Sequence, residues 1–118
     1  MHRLVHTIRF ESARKLTKVP KDHPCSNLYG LAFKLEIHAE GEIDSTGFVM
    51  DFNKIERKFI TIKKQVDHNY LNDIEGLENP TSEVLVEWIW NKLKPDFQEL
   101  SKLVLWENEV SRVEFSGN

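Results

Sequence analysis

Cysteine is almost absent from this 118-residue chain: Cys25 is the only one, and a lone thiol closes no intramolecular disulfide. Packing must therefore hold the fold. Long apolar runs are missing too, since no stretch of roughly 18 residues is apolar enough to span a bilayer. The start of the chain lacks the charged-then-apolar pattern of a secretory leader, and a cytoplasmic protein is expected. An excess of basic residues is also missing. Lysine and arginine total 16 against 19 acidic side chains, a formal charge of −3. Without an arginine-rich stripe or an apolar span, neither nucleic acid nor a membrane is an expected partner. The cluster Arg57-Lys58 and Lys63-Lys64 reads as the solvated face of a helix. Internal repeats, low-complexity blocks and linkers are lacking as well. Residues 1–118 are thus expected to form one domain around a single core.

What is present is a change of period along the chain. In residues 3–10, Leu4, His6, Ile8 and Phe10 alternate with Val5, Thr7 and Arg9, which reads as a strand. Residues 11–28 are polar, include Pro20 and Pro24, and read as a long loop of the kind that often carries function. A second strand is expected over residues 31–40, where Leu31, Phe33, Leu35 and Ile37 oppose Lys34, Glu36 and His38. Gly41, Asp44, Ser45 and Gly47 then supply turn chemistry. Over residues 52–66 the period becomes helical: Phe52, Ile55, Phe59, Ile62 and Val66 share one face, and Asp51 is placed to cap it. A second polar connector, residues 67–78, leads to Asn79-Pro80. That pair is a helix-start signal, because proline is tolerated at the first helical position. Leu85, Ile89 and Leu93 continue that helix towards Lys94-Pro95. Residues 102–107 and 111–115 read as two short strands joined by a tight turn. The order predicts an α+β fold, β-β-α-α-β-β: a four-stranded antiparallel sheet with both helices packed on one face.

Four separated motifs occur in sequence: Gly47-Phe48-Val49-Met50-Asp51-Phe52, Asp67-His68-Asn69-Tyr70-Leu71-Asn72, Gly76-Leu77-Glu78-Asn79-Pro80-Thr81-Ser82-Glu83, and Lys94-Pro95. In wording and order they resemble the 6-pyruvoyl- and 6-carboxytetrahydropterin synthase family, most of all its bacterial branch on the way to queuosine. The resemblance spans nearly the whole chain. It implies the tunnelling fold, in which subunits join their sheets into a barrel, and a homo-oligomer that is commonly a dimer of trimers. Neighbouring subunits would then cover otherwise exposed sheet edges. The resemblance also implies a proton-transfer set. In the family a cysteine works with an aspartate–histidine pair on the substrate side chain, and those roles fall on Cys25, Asp67 and His68. A thiol and an imidazole titrate near neutrality, and a carboxylate orients the imidazole. Glu107 matches the family's pterin anchor, a carboxylate that accepts hydrogen bonds from the amino group and ring N–H of a pterin or guanine-like ring. Thr81 and Ser82 are expected to present hydroxyls and helix-terminal N–H groups to that ring, a role compatible with capping.

The family's zinc is where this sequence departs. Three histidines hold the metal there, one in an Ala-His motif and two in a His-Gly-His motif. The matching stretches here read Ser12-Ala13-Arg14 and Tyr29-Gly30-Leu31. Zinc takes four ligands with nitrogen or sulfur donors favoured. A guanidinium stays protonated, leucine has no donor atom, and one phenol does not make a site. His2, His6, His23 and His38 show no spacing that rebuilds it. No metal and no other cofactor is expected. Two readings follow. In one, the chain is a pterin-binding, synthase-like protein with altered or lost zinc-dependent lyase activity. Arg14 then replaces the metal's positive charge and Tyr29 joins it in the substrate pocket. In the other it is a non-catalytic pterin- or purine-binding or regulatory paralogue that assembles with a partner subunit.

Overall fold

Strand alternation runs further than the apolar pattern. In the computed structural model, which describes residues 1–117, β1 (His2–Arg14) pairs antiparallel with β2 (Tyr29–Gly41) along its whole length, from His2 opposite Gly41 to Arg14 opposite Tyr29. The inward-facing set Ile8 and Phe10 continues as Ser12 and Arg14, all four buried. Polar residues on the inner face are what made residues 11–14 read as loop. Ser12 earns its burial by donating from Oγ to the Val66 carbonyl at 2.6 Å. The true loop is residues 15–28, which contains one short helical turn, Pro24–Ser26.

The expected first helix, α1 (Phe52–Val66), forms with Ile55, Phe59, Ile62 and Val66 buried and Asp51 accepting the Asn53 amide at 2.9 Å. Burying each such side chain is worth about 1.5–3 kcal/mol. Next comes β3 (Asn69–Tyr70), a two-residue strand parallel to β1, with Ser12 opposite Asn69 and Ala13 opposite Tyr70. The second helix, α2 (Ser82–Leu93), starts later than the proline signal indicates. Thr81 is its cap, accepting the Val84 amide on Oγ1 at 3.1 Å, and Pro80 lies outside the helix with its carbonyl bound by Arg14. The chain closes with β4 (Leu100–Trp106) and β5 (Arg112–Phe115).

The sheet order is β3-β1-β2-β4-β5. It is therefore five-stranded and mixed, where the periodicity predicted four antiparallel strands; two residues are too few to carry a period. Both helices feed one apolar cluster in which Phe10, Phe33 and Leu35 from the hairpin meet Phe59 and Ile89. Among the described residues no helix is long and apolar enough to cross a membrane. One topological detail positions the site. Pairing of β2 with β4 begins at Lys34 opposite Trp106, so residues 29–33 extend past the end of β4 and leave a notch at the sheet edge.

Candidate active site

Arg14 closes the inner face of β1 at that notch. Its side chain is buried, and its guanidinium is held on every side. Nε donates to the Tyr29 hydroxyl at 2.9 Å; Nη1 donates to the Pro80 carbonyl at 3.0 Å and to Ser82 Oγ at 3.2 Å; Nη2 donates to Glu107 Oε1 at 2.8 Å. The cation also lies over the Tyr29 and Phe33 rings, 5.4 and 5.6 Å from their centroids. Four of its five N–H groups are thus satisfied, and a buried charge with this many partners is tolerable.

Glu107 is the first residue past β4, where its amide donates to the Ser111 carbonyl and closes the turn to β5. Ser82 Oγ, at the first position of α2, also donates to Glu107 Oε1. Both partners use Oε1, so Oε2 carries no hydrogen bond to the described residues. Burial alone would raise the Glu107 pKa, but the hydrogen bonds from Ser82 and Arg14 and the guanidinium charge outweigh it and hold the carboxyl below its usual range. Glu107 is therefore an anion at neutral pH.

On the other side of Arg14 sit Tyr29 and Cys25. His23 Nδ1 accepts the Cys25 amide at 3.0 Å, and the Cys25 carbonyl accepts the Leu16 amide at 2.7 Å, which ties the loop to the end of β1. Burial and the neighbouring Cys25 thiol push the Tyr29 phenol up, against the opposing pull of Arg14. Arg14 Nε–H occupies the phenol oxygen as a donor, and Cys25 lines the same cavity as Tyr29. Tyr29, Arg14, Ser82 and Glu107 form one hydrogen-bonded chain, and with Cys25 they line a cavity of about 960 Å³.

A family model described as 6-pyruvoyl tetrahydropterin synthase matches residues 3–118. The chain belongs to this family. A curated relative from Pyrococcus furiosus, named dihydroneopterin monophosphate aldolase, is 34% identical over 115 residues, 95% of each chain. A second, the 6-carboxy-5,6,7,8-tetrahydropterin synthase of Synechocystis, is 35% identical over 91 residues, 72% of this chain and 69% of the relative. The structure of Caenorhabditis elegans 6-pyruvoyl tetrahydropterin synthase superposes with a TM-score of 0.91, covering 99% of this chain and 96% of that one at 24% identity. The tunnelling fold of the family is thus the fold of this chain.

Within one chain the residues expected to transfer protons, Cys25, Asp67 and His68, are split. His68 lies beyond α1, with Nδ1 3.0 Å from Asp67 Oδ2 and Nε2 3.5 Å from Glu11 Oε2. Asp67 also accepts the Glu11 amide at 2.8 Å; that bond, and to a lesser degree His68, lowers its pKa against a modest opposing burial. His68 adopts φ +57°, a region costly for a side-chain-bearing residue, and donates its amide to the Glu11 carbonyl at 2.5 Å. It lines a second cavity of about 520 Å³ that shares only Gly30, Leu31 and Ala32 with the first. Cys25, Tyr29, Arg14, Ser82, Thr81 and Glu107 are brought together; Asp67 and His68 are not. Leu31 sits between the two cavities. Several residues of the first cavity escaped the sequence reading, Arg9, Lys34 and Trp106 among them. Lys34 was visible only as an outward strand residue, and pairing it with Arg9 needed the hairpin register that the 14-residue loop hides.

Proposed function

We propose that this chain binds a dihydropterin and cleaves a carbon–carbon bond of its side chain in the manner of an aldolase, without zinc. The observation that carries the reading is the buried Arg14, whose guanidinium ties Tyr29 to Glu107 at the position where the motif resemblance sets a ligand histidine. The donor set does not fit zinc. A guanidinium has no lone pair to give, Leu31 has no donor, and the Tyr29 oxygen already accepts Arg14 Nε–H. No step is therefore routed through a metal.

A dihydropterin ring carries its own electron sink, the imine beside its side chain. A base takes the proton from the hydroxyl on the second side-chain carbon, and a carbonyl forms there as the bond to the first carbon breaks. The released electron pair enters the ring imine, giving an enamine. A proton delivered to the first carbon restores the imine and leaves a hydroxymethyl dihydropterin and a short aldehyde. This chemistry needs a ring anchor, a base and an acid. Glu107 Oε2 accepts from the amino-pyrimidinone edge, and the Cys25 thiol and Tyr29 phenol pass the proton. The Pyrococcus relative, alike over 95% of both chains, bears an aldolase name that agrees with such a cleavage.

Asp67 and His68 complete the set if the protein assembles as a homo-oligomer in which His68 of a second copy faces Cys25. The unpaired edge of β2 at residues 29–33 offers the place. The alternative reading, a pterin binder without catalysis, is favoured by the distance of Asp67 and His68 from Cys25 within one chain. The deciding experiment incubates metal-free protein with dihydroneopterin and its monophosphate and follows hydroxymethyl dihydropterin by chromatography. Turnover that persists in chelator and is lost in Cys25→Ala supports the aldolase. Recovered turnover on mixing Cys25→Ala with His68→Ala subunits supports a shared site. Binding without product selects the binder, and stoichiometric zinc with activity lost in chelator overturns the metal-free reading.

A further inference from the structure

Consecutive residues just past β1 find backbone partners far along the chain. The Lys15 amide donates to Asn72 Oδ1 at 3.0 Å, and the Lys15 carbonyl accepts from Asn72 Nδ2 at 2.7 Å. The next amide, that of Leu16, donates to the Cys25 carbonyl at 2.7 Å. The Thr17 amide then donates to Asn79 Oδ1 at 2.8 Å, with the Thr17 hydroxyl on the same oxygen at 3.3 Å. The bond that returns the loop at Cys25 is thus flanked on either side by an asparagine side chain.

Both asparagines belong to the connector between β3 and α2, and that connector is a firm reference. Leu71 and Leu77 are fully buried in the core, and Asn72 Nδ2 also reaches the Glu78 carbonyl at 3.1 Å. Loop peptides lack the partners that a ladder supplies, and a side-chain amide, which both accepts and donates, can answer them as another peptide would. The same connector holds the other part of the first cavity. Immediately after Asn79, the Pro80 carbonyl accepts from Arg14, and Ser82 Oγ bonds both Arg14 and Glu107. The loop that carries Cys25 and the Arg14–Glu107 pair are therefore both referenced to residues 79–82.

We propose that Asn72 and Asn79 are positioning residues that hold Cys25 in place relative to the Arg14–Glu107 pair. The catalytic consequence rests on the reading of Cys25 as a proton carrier. Neither asparagine lines either cavity; each acts through the backbone of residues 15–17 and its bond to Cys25. The two differ in what they supply. Asn79 only accepts from the loop, a task a carboxylate performs equally well. Asn72 must also donate, to the Lys15 and Glu78 carbonyls, which a carboxylate cannot do.

The test measures how fast a maleimide alkylates Cys25, the only thiol of the chain, in folded protein without denaturant. Cys25 is half-buried, so loosening the loop exposes it. Asn72→Ala and Asn79→Ala are each expected to raise the rate about fivefold. Asn79→Asp should return it to within about twofold of wild type, whereas Asn72→Asp should react as fast as Asn72→Ala. Turnover of dihydroneopterin is the second arm. In the fast-reacting variants kcat should fall about tenfold while KM holds, because Arg14, Ser82 and Glu107 keep their contacts. If wild type itself gives no turnover, the pterin reading fails while the alkylation pattern still decides the positioning role. The proposal is overturned if both alanine variants react at the wild-type rate, if aspartate restores both positions alike, or if the loss of turnover lies in KM rather than kcat. Urea unfolding confirms that the variants compared are folded, and the two aspartate variants carry the same comparison if an alanine variant does not fold.

Discussion

Replacing Arg14 with methionine tests whether its network holds the notch together. The substitution keeps an unbranched apolar side chain of similar reach and removes four hydrogen bonds and the Glu107 ion pair. Deleting one partner of a fully buried pair costs about 3–5 kcal/mol, because the other charge is stranded. Here the Arg14 side chain is 3% exposed but Glu107 is 31% exposed, so the orphaned carboxylate can recover water. The expected cost is therefore smaller, about 2–4 kcal/mol. That is a large share of a typical stability of about 5–15 kcal/mol, yet it leaves the protein folded. With a urea slope of about 1.5 kcal/mol per molar, the midpoint falls by roughly 2 M. The pH dependence supplies an independent reading. Glu107 is held below its ordinary value of 4.5. Its stabilisation is complete above that value and drains away as pH falls through the lower folded value. The gap between wild type and variant should therefore narrow in acid below about pH 4. A cost under about 0.5 kcal/mol, or a gap that stays constant down to acid-induced unfolding, would refute the reasoning.

Three further outcomes are expected. Tyr29→Phe keeps the ring but strips Arg14 Nε–H of its acceptor, costing about 1–2 kcal/mol in urea unfolding; turnover should fall at least about tenfold in kcat, and unchanged turnover would remove the phenol from the mechanism. His68→Gly relieves the positive φ and should raise stability by about 0.5–1 kcal/mol while lowering activity. A loss of melting temperature would show that contacts with Asp67 and Glu11 outweigh the strain. Ser12→Ala leaves the Val66 carbonyl at the end of α1 without its 2.6 Å donor and should cost about 1–2 kcal/mol by thermal or urea unfolding; no change would mean that water takes the vacated place.

Periodicity carried most of the fold. It placed α1 at its observed bounds because apolar spacing and the Asp51 cap agree, and it found the β1–β2 hairpin because Ile8, Phe10, Phe33 and Leu35 alternate. It lost the ends of that hairpin where inner positions turn polar at Ser12 and Arg14, since a buried arginine does not look buried until its partners are known. It lost β3, whose two residues are specified by tertiary contact rather than pattern. Likewise Pro80 signalled α2 two residues early, as its carbonyl serves Arg14 instead of the helix. Site legibility followed the same rule. Arg14, Tyr29, Ser82 and Glu107 were each visible as positions, but their union depends on a register and a loop closure spanning 93 residues. The Arg9–Lys34 opposition was invisible for the same reason.

The buried guanidinium has a consequence for how this protein is made ready. A metal ion has to be acquired after or during folding, from a supply that varies, and it can be withdrawn by a chelator or exchanged for a competing ion. The positive charge of Arg14 arrives with the polypeptide. Every correctly folded copy is charged alike at this position from the moment β1 and β2 pair, and no chelator can take that charge away.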